Sequence, residues 1–104
     1  MSDRALRSEI IHRVFDYAGV EDENVLRGAL AYRRDGTVLI LTEGGFRDSG
    51  TWRIAGGELC TRIVALRGGE EVCFLVGSRA DGVYVTSHGF VLRPRDDRAV
   101  QQEG

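Results

Sequence analysis

The chain has no lysine; all fourteen of its basic residues are arginines. That excludes a Schiff-base lysine, a lysine general base and a Walker-type phosphate loop, since each needs an ammonium group. Histidine is nearly absent too, with only His12 and His88, and the two cysteines, Cys60 and Cys73, form no C-x-x-C. A structural zinc site takes four ligands at recognisable spacings, and these residues do not supply them. No G-x-S-x-G elbow is present. The expectation is therefore no catalytic motif, no metal site and no cofactor. No apolar run approaches the length of about 18 residues that a membrane helix needs. The single proline, Pro94, stands near the end.

What is present reads as one small globular domain. The chain has 104 residues, 42% apolar and 29% charged, which suits a single domain with a thin core. A net charge of −2 and a pI near 5.6 argue against an electrostatic footprint for nucleic acid. Residues 1–13 carry five charges and no apolar segment, unlike a secretory signal. With residue 1 as the native start, the expected location is the cytoplasm. If a longer precursor was trimmed, the periplasm or the exterior is expected.

The chain is organised around Gly50 to Cys60. Gly56-Gly57 lies between two alternating apolar runs, a strong hairpin signal because primed turns need positive φ. A two-residue turn sets Ala55 against Glu58, Ile54 against Leu59 and Trp52 against Thr61. Trp52, Ile54, Leu59, Thr61 and Ile63 then share the core face, with Arg53 and Cys60 on the other. A three-residue loop, Ala55 to Gly57, would instead move Cys60 to the face of Trp52. Trp52, the only tryptophan, is expected to be the largest buried contributor to the core.

On the N-terminal side, Leu6, Ile10, Val14 and Ala18 recur every fourth residue, with Ile11 and Phe15 beside them. This predicts a helix over 3–19, capped by Ser2 or Asp3 and docked through Leu6, Ile10, Val14 and Phe15. His12 and Asp16 would be neighbours on it, most simply as a solvated surface pair. From Leu26 the period becomes two. Asp35-Gly36 reads as a second two-residue turn, setting Leu30 against Leu41 and Tyr32 against Leu39. Further turns near positions 56, 68 and 81 complete the signature of an antiparallel meander. The fold class is mainly β (α+β): an N-terminal helix packed on a curved antiparallel meander of about seven strands, open or closed into a small barrel. The domain spans 1–95, with the sheet over 26–93 and a polar tail, 96–104, that frays.

Two resemblances follow from these residues. Asp35-Gly36, Gly50-Thr51-Trp52-Arg53-Ile54, Leu59-Cys60, Cys73, Asp81-Gly82 and Tyr84 form a pattern over roughly residues 26–90. It is similar to a group of small bacterial β-domains, usually exported, that carry no assigned activity. Members usually begin with a signal peptide, and residues 1–13 do not read as one. Gly50-Thr51-Trp52 also resembles the G-x-W of lipocalins, whose tryptophan packs under an arginine near the last strand. Arg93 or Arg95 would take that part. The lipocalin motif opens its barrel, whereas here about half the domain precedes it.

A two-residue turn at Gly68-Gly69 would put Val64 opposite Cys73 and Cys60 opposite Gly77. Four residues of strand, roughly 13 Å, then separate the cysteines, against the Cα separation of about 7 Å that a disulfide tolerates. That register predicts two free thiols. A Cys60–Cys73 disulfide requires Val64 or Leu66 to leave the ladder in a longer loop. Exported chains favour the disulfide, cytosolic ones the thiols.

The functional expectation is a non-catalytic binding or structural module. The second is a calycin-like barrel carrying a small apolar ligand, and an enzyme is third. Candidate ligand-binding residues are Trp52, Tyr32, Tyr84, His88 and Arg93. The expected partners are an unidentified protein or a small apolar ligand, with no nucleic acid and no membrane span.

Overall fold

A computed structural model describes residues 1–95; the expected polar tail, 96–104, lies outside the described residues. Helix α1 (Asp3–Glu9) leads into strands β1 (Arg13–Glu21), β2 (Asn24–Tyr32), β3 (Thr37–Thr42), β4 (Arg47–Ala55) and β5 (Glu58–Ile63). Four short strands follow: β6 (Glu71–Phe74), β7 (Val76–Ser78), β8 (Tyr84–Thr86) and β9 (Val91–Pro94). All pairings are antiparallel, in the order β6-β5-β4-β3-β2-β1-β9-β8-β7. The two ends of that order, β6 and β7, are separated in the chain only by Leu75. One bent segment thus pairs with β5 by its first half and with β8 by its second. At the bend, Ser87 N donates to the Leu75 carbonyl and Leu75 N donates to Ser87 Oγ, each at 2.9 Å. The sheet returns on itself as a nearly closed, up-and-down barrel, which leaves few unpaired edges.

The predicted mainly β fold with an N-terminal helix is what the chain adopts, with nine strands in place of seven. The helix is shorter than predicted. It ends after Glu9, the backbone reverses at His12 (φ 70°), and residues 13–21 form β1. A spacing of four is also two periods of two, so Val14 and Ala18 satisfy a strand as well as a helix. The run Val14-Phe15-Asp16-Tyr17 is rich in β-branched and aromatic residues, which pack well on a pleated surface. Nine residue pairs with β2 then hold it in the sheet. His12 and Asp16 are therefore not helix neighbours; Asp16 instead accepts from Arg95 Nε at 3.0 Å.

The hairpin at Gly56-Gly57 has the expected two-residue register, with Ala55 opposite Glu58 and Trp52 opposite Thr61. A methyl at Gly50 would overlap the Arg62 carbonyl oxygen, so glycine permits the close approach of β4 and β5 there. The Asp35-Gly36 turn differs from expectation. Arg33 N donates to the Thr37 carbonyl across a three-residue loop, with Gly36 at φ 90°. That is a type I turn followed by a left-handed glycine, which adds one residue to the loop. Leu30 therefore faces Ile40, and Tyr32 faces Val38. The one-residue slip turns Val38 and Ile40 inward and leaves Leu39 and Leu41 44% and 40% exposed.

The β5–β6 connection is also longer than a two-residue turn. β5 stops at Ile63, and Val64 and Leu66, 62% and 50% exposed, leave the ladder. Asp48 rewards this departure: its carboxylate accepts from Ala65 N at 3.0 Å and Leu66 N at 2.8 Å. Cys60 then stands directly opposite Cys73, and the two form a disulfide. The expectation of two free thiols is overturned, because side-chain to backbone bonds in the loop outweighed the pull of Val64 and Leu66 into the strand.

Trp52 is half-buried and is not the largest core residue. The largest fully buried side chains are Phe15, Leu6, Ile10, Leu59, Val38 and Val76. The Trp52 indole N–H donates to the Arg33 carbonyl at 2.6 Å, which holds the ring at the barrel margin. Helix α1 closes this end. Leu6 and Ile10 are fully buried, Asp3 Oδ1 accepts from Gly57 N at 2.6 Å, and the Met1 ammonium donates to the Val76 carbonyl at 3.1 Å. No helix among the described residues is long and apolar enough to cross a membrane.

Candidate functional site

Alternation along the strands turns one row of each inward. On β2 and β3 these rows are Leu30 and Tyr32, and Val38 and Ile40; Thr61 and Ile63 continue them on β5, and Phe74 and Leu92 on β6 and β9. At the closed end these side chains meet α1 or one another. Toward the other end they surround a cavity of about 620 Å³. Its mouth lies among the β1–β2 turn, residues 43–44, the β5–β6 loop and the β8–β9 turn. The β1–β2 turn is a two-residue one, Asp22-Glu23, with both residues at positive φ. The rim is partly apolar, with Val25, Leu26 and Leu66 exposed.

Polar groups in the cavity are few. Tyr32 is only 4% exposed and Thr61 5%. Neither hydroxyl has a hydrogen-bond partner among the described residues, and no buried side-chain oxygen or nitrogen there is left unsatisfied. Both oxygens therefore open into the cavity. Burial pushes the Tyr32 phenol well above its ordinary value of 10.0, and the positive charge of Arg67 opposes that shift in part. Arg67 is half-buried, lines the cavity, and makes no ion pair or side-chain hydrogen bond among the described residues. The loop that carries it is the one Asp48 pins. Those backbone bonds, Leu66 N foremost, hold the Asp48 carboxyl below its ordinary range. Glu21, Asp22, Arg27 and Glu43 contribute charges at the mouth.

Of the residues singled out from the sequence, Tyr32 and His88 line this cavity. The His88 ring meets Phe74 edge-on at 6.2 Å. Tyr84 belongs to the closed end, where its hydroxyl donates to Glu9 Oε1 at 2.9 Å and its ring packs edge-on against Phe15. Trp52 lies at the same end, under Arg7, whose guanidinium sits 6.0 Å from the ring centroid. The arginine over the tryptophan thus comes from the helix, not from the last strand. Arg93 points outward from β9, opposite Asp16, along a shallow groove on the outer wall.

The disulfide lies on the outer face, since Cys60 and Cys73 alternate with the inward Thr61 and Phe74. Glu71 joins the two sulfurs within 4.8 Å. The sulfurs are spent on each other, however, and the Glu71 carboxylate takes two 2.8 Å hydrogen bonds from Arg53. The cluster leaves no open set of metal ligands.

Sequence reasoning passed over Thr61 and Arg67. Thr61 was legible as a hydroxyl within an otherwise apolar row. Arg67 carried no signal, because its place depends on the length of a loop read as a tight turn. No protein-family model, curated protein or solved structure matches this chain.

Proposed function

We propose that the domain holds a small, largely apolar ligand inside the open end of its barrel. The observation that carries this reading is the cavity of about 620 Å³, lined mainly by inward apolar side chains with a few polar groups. Ligand pockets have this composition and run from roughly 300 to 1,000 Å³. An up-and-down barrel of this girth has interior room for one small molecule. The exposed apolar rim at Val25, Leu26 and Leu66 supports passage of an apolar ligand through the mouth. Of the readings drawn from the sequence, the calycin-like carrier is therefore preferred over a purely structural module. The Cys60–Cys73 disulfide supports maturation in an oxidising compartment.

Native mass spectrometry of protein purified from its own host tests this reading. The expected result is a noncovalent adduct of small-molecule mass that disappears on denaturation. Titration with 1-aminoanthracene, a neutral apolar fluorophore, provides the second arm. Its fluorescence should rise on binding, and Leu30→Trp, which fills the cavity, should abolish the rise while the fold persists. Absence of both adduct and probe binding would overturn the proposal.

A further inference from the structure

A half-buried guanidinium and two hydroxyls that open into a cavity and spend no side-chain hydrogen bond on the protein stand ready to bond with whatever enters it. Arg67, Tyr32 and Thr61 all line the cavity, and each has its hydrogen-bonding capacity unspent among the described residues. Arginine offers a planar fork of donors that matches a carboxylate, and tyrosine and threonine hydroxyls can each add one donor. From these residues we infer that the ligand is an amphipathic monocarboxylate. Its carboxylate is received by Arg67 with Tyr32 and Thr61, and its apolar body lies against Leu30, Ile40 and Ile63. The inference rests on the proposed ligand-holding function and specifies its chemistry.

The charges around the site favour one negative charge over two. Arg67 is the half-buried cation of the cavity, while Arg27 is exposed at the rim together with Glu21, Asp22 and Glu43. Those three carboxylates oppose a dianion such as a phosphate monoester, whose second charge would face them without a second inner cation. Asp48 acts as a positioning residue, because its bonds to Ala65 N and Leu66 N hold the loop from which Arg67 reaches the cavity.

The test compares one probe in two forms: cis-parinaric acid, a fluorescent polyene carboxylic acid, and its uncharged methyl ester. Both are titrated into the full, oxidised chain near neutral pH. The acid is expected to bind about tenfold tighter or more, the range for hydrogen bonds to a charged group. Arg67→Gln should bring the acid down to the affinity of the ester and leave the ester unchanged. Tyr32→Phe should remove part of the difference. Arg67 lies in a surface loop, so the variant should keep the wild-type melting temperature, and circular dichroism checks this. Equal binding of acid and ester by the wild type would overturn the carboxylate inference while leaving the apolar cavity intact. An unchanged preference for the acid in Arg67→Gln would also overturn it. Binding of neither probe would overturn both this inference and the function on which it rests.

Discussion

The two ends of the barrel are built from the same strands but finished differently. On β2 and β3, Tyr32 and Val38 line the inner part of the cavity, nearer the closed end, and are buried, while Leu30 and Ile40, two residues further along, are only half-buried. The alternation is the same at both levels. What differs is the plug. Leu6 of α1 and Ile10 just after it fill the closed end, and no described segment performs that service at the mouth. The tyrosines mark the same contrast. Tyr84, at the closed end, donates to Glu9 and accepts from Arg13 Nη1 at 3.4 Å, whereas Tyr32 presents an unpartnered hydroxyl to the cavity. A barrel wall, then, does not decide whether its interior becomes core or cavity. That depends on whether another part of the chain is available to fill it.

The largest effect should come from emptying the closed end. Phe15 is fully buried and packs edge-on against Tyr84, so Phe15→Ala should cost about 3–5 kcal/mol. Ile40→Ala borders space that already exists and should cost only about 1 kcal/mol, the loss of a half-buried side chain. Urea unfolding of both variants measures the difference, and equal costs would break the distinction between the two ends.

Next in size is the disulfide on the outer wall, which links residues 13 apart. Closing a loop of that length in the unfolded chain stabilises the fold by about 3 kcal/mol. The Cys60→Ala/Cys73→Ala double variant should unfold at correspondingly lower urea. Ellman titration of the denatured, unreduced wild type should find no thiols among these two residues.

The smallest effect near neutrality is expected from pH. Burial raises the Tyr17, Tyr32 and Tyr84 phenols above their ordinary value of 10.0, with the Glu9 hydrogen bond adding to the effect at Tyr84. Above about pH 10 the unfolded chain loses these protons while the native state keeps them, so the unfolded state binds fewer protons and stability falls as pH rises. The contribution is intact below about pH 10 and is lost as pH climbs through the raised native values. Phenolate absorbance should show titration displaced upward, and Tyr32→Phe should reduce the alkaline loss of stability.

The sequence alone determined the mainly β class, the antiparallel meander, the Gly56-Gly57 hairpin with its register, and the exclusion of lysine chemistry. Each rests on local physics: glycine tolerates positive φ, side chains alternate, and an absent ammonium cannot react. The helix it predicted over 3–19 was too long, because a spacing of four suits Val14 and Ala18 on either a helix or a strand. Only the tertiary structure decided that residues 13–21 join the sheet, through nine pairings with a strand that a local window does not see. The remaining decisions concern loops. One added residue at Arg34-Asp35-Gly36 exchanged the inward and outward faces of β3. Bonds from Asp48, remote in sequence, drew Val64–Leu66 out of the ladder, which joined Cys60 to Cys73 and put Arg67 at the cavity. Strand pairing carries a period of two, so a single residue in a turn reverses every contact beyond it. That residue is settled by bonds between distant parts of the chain.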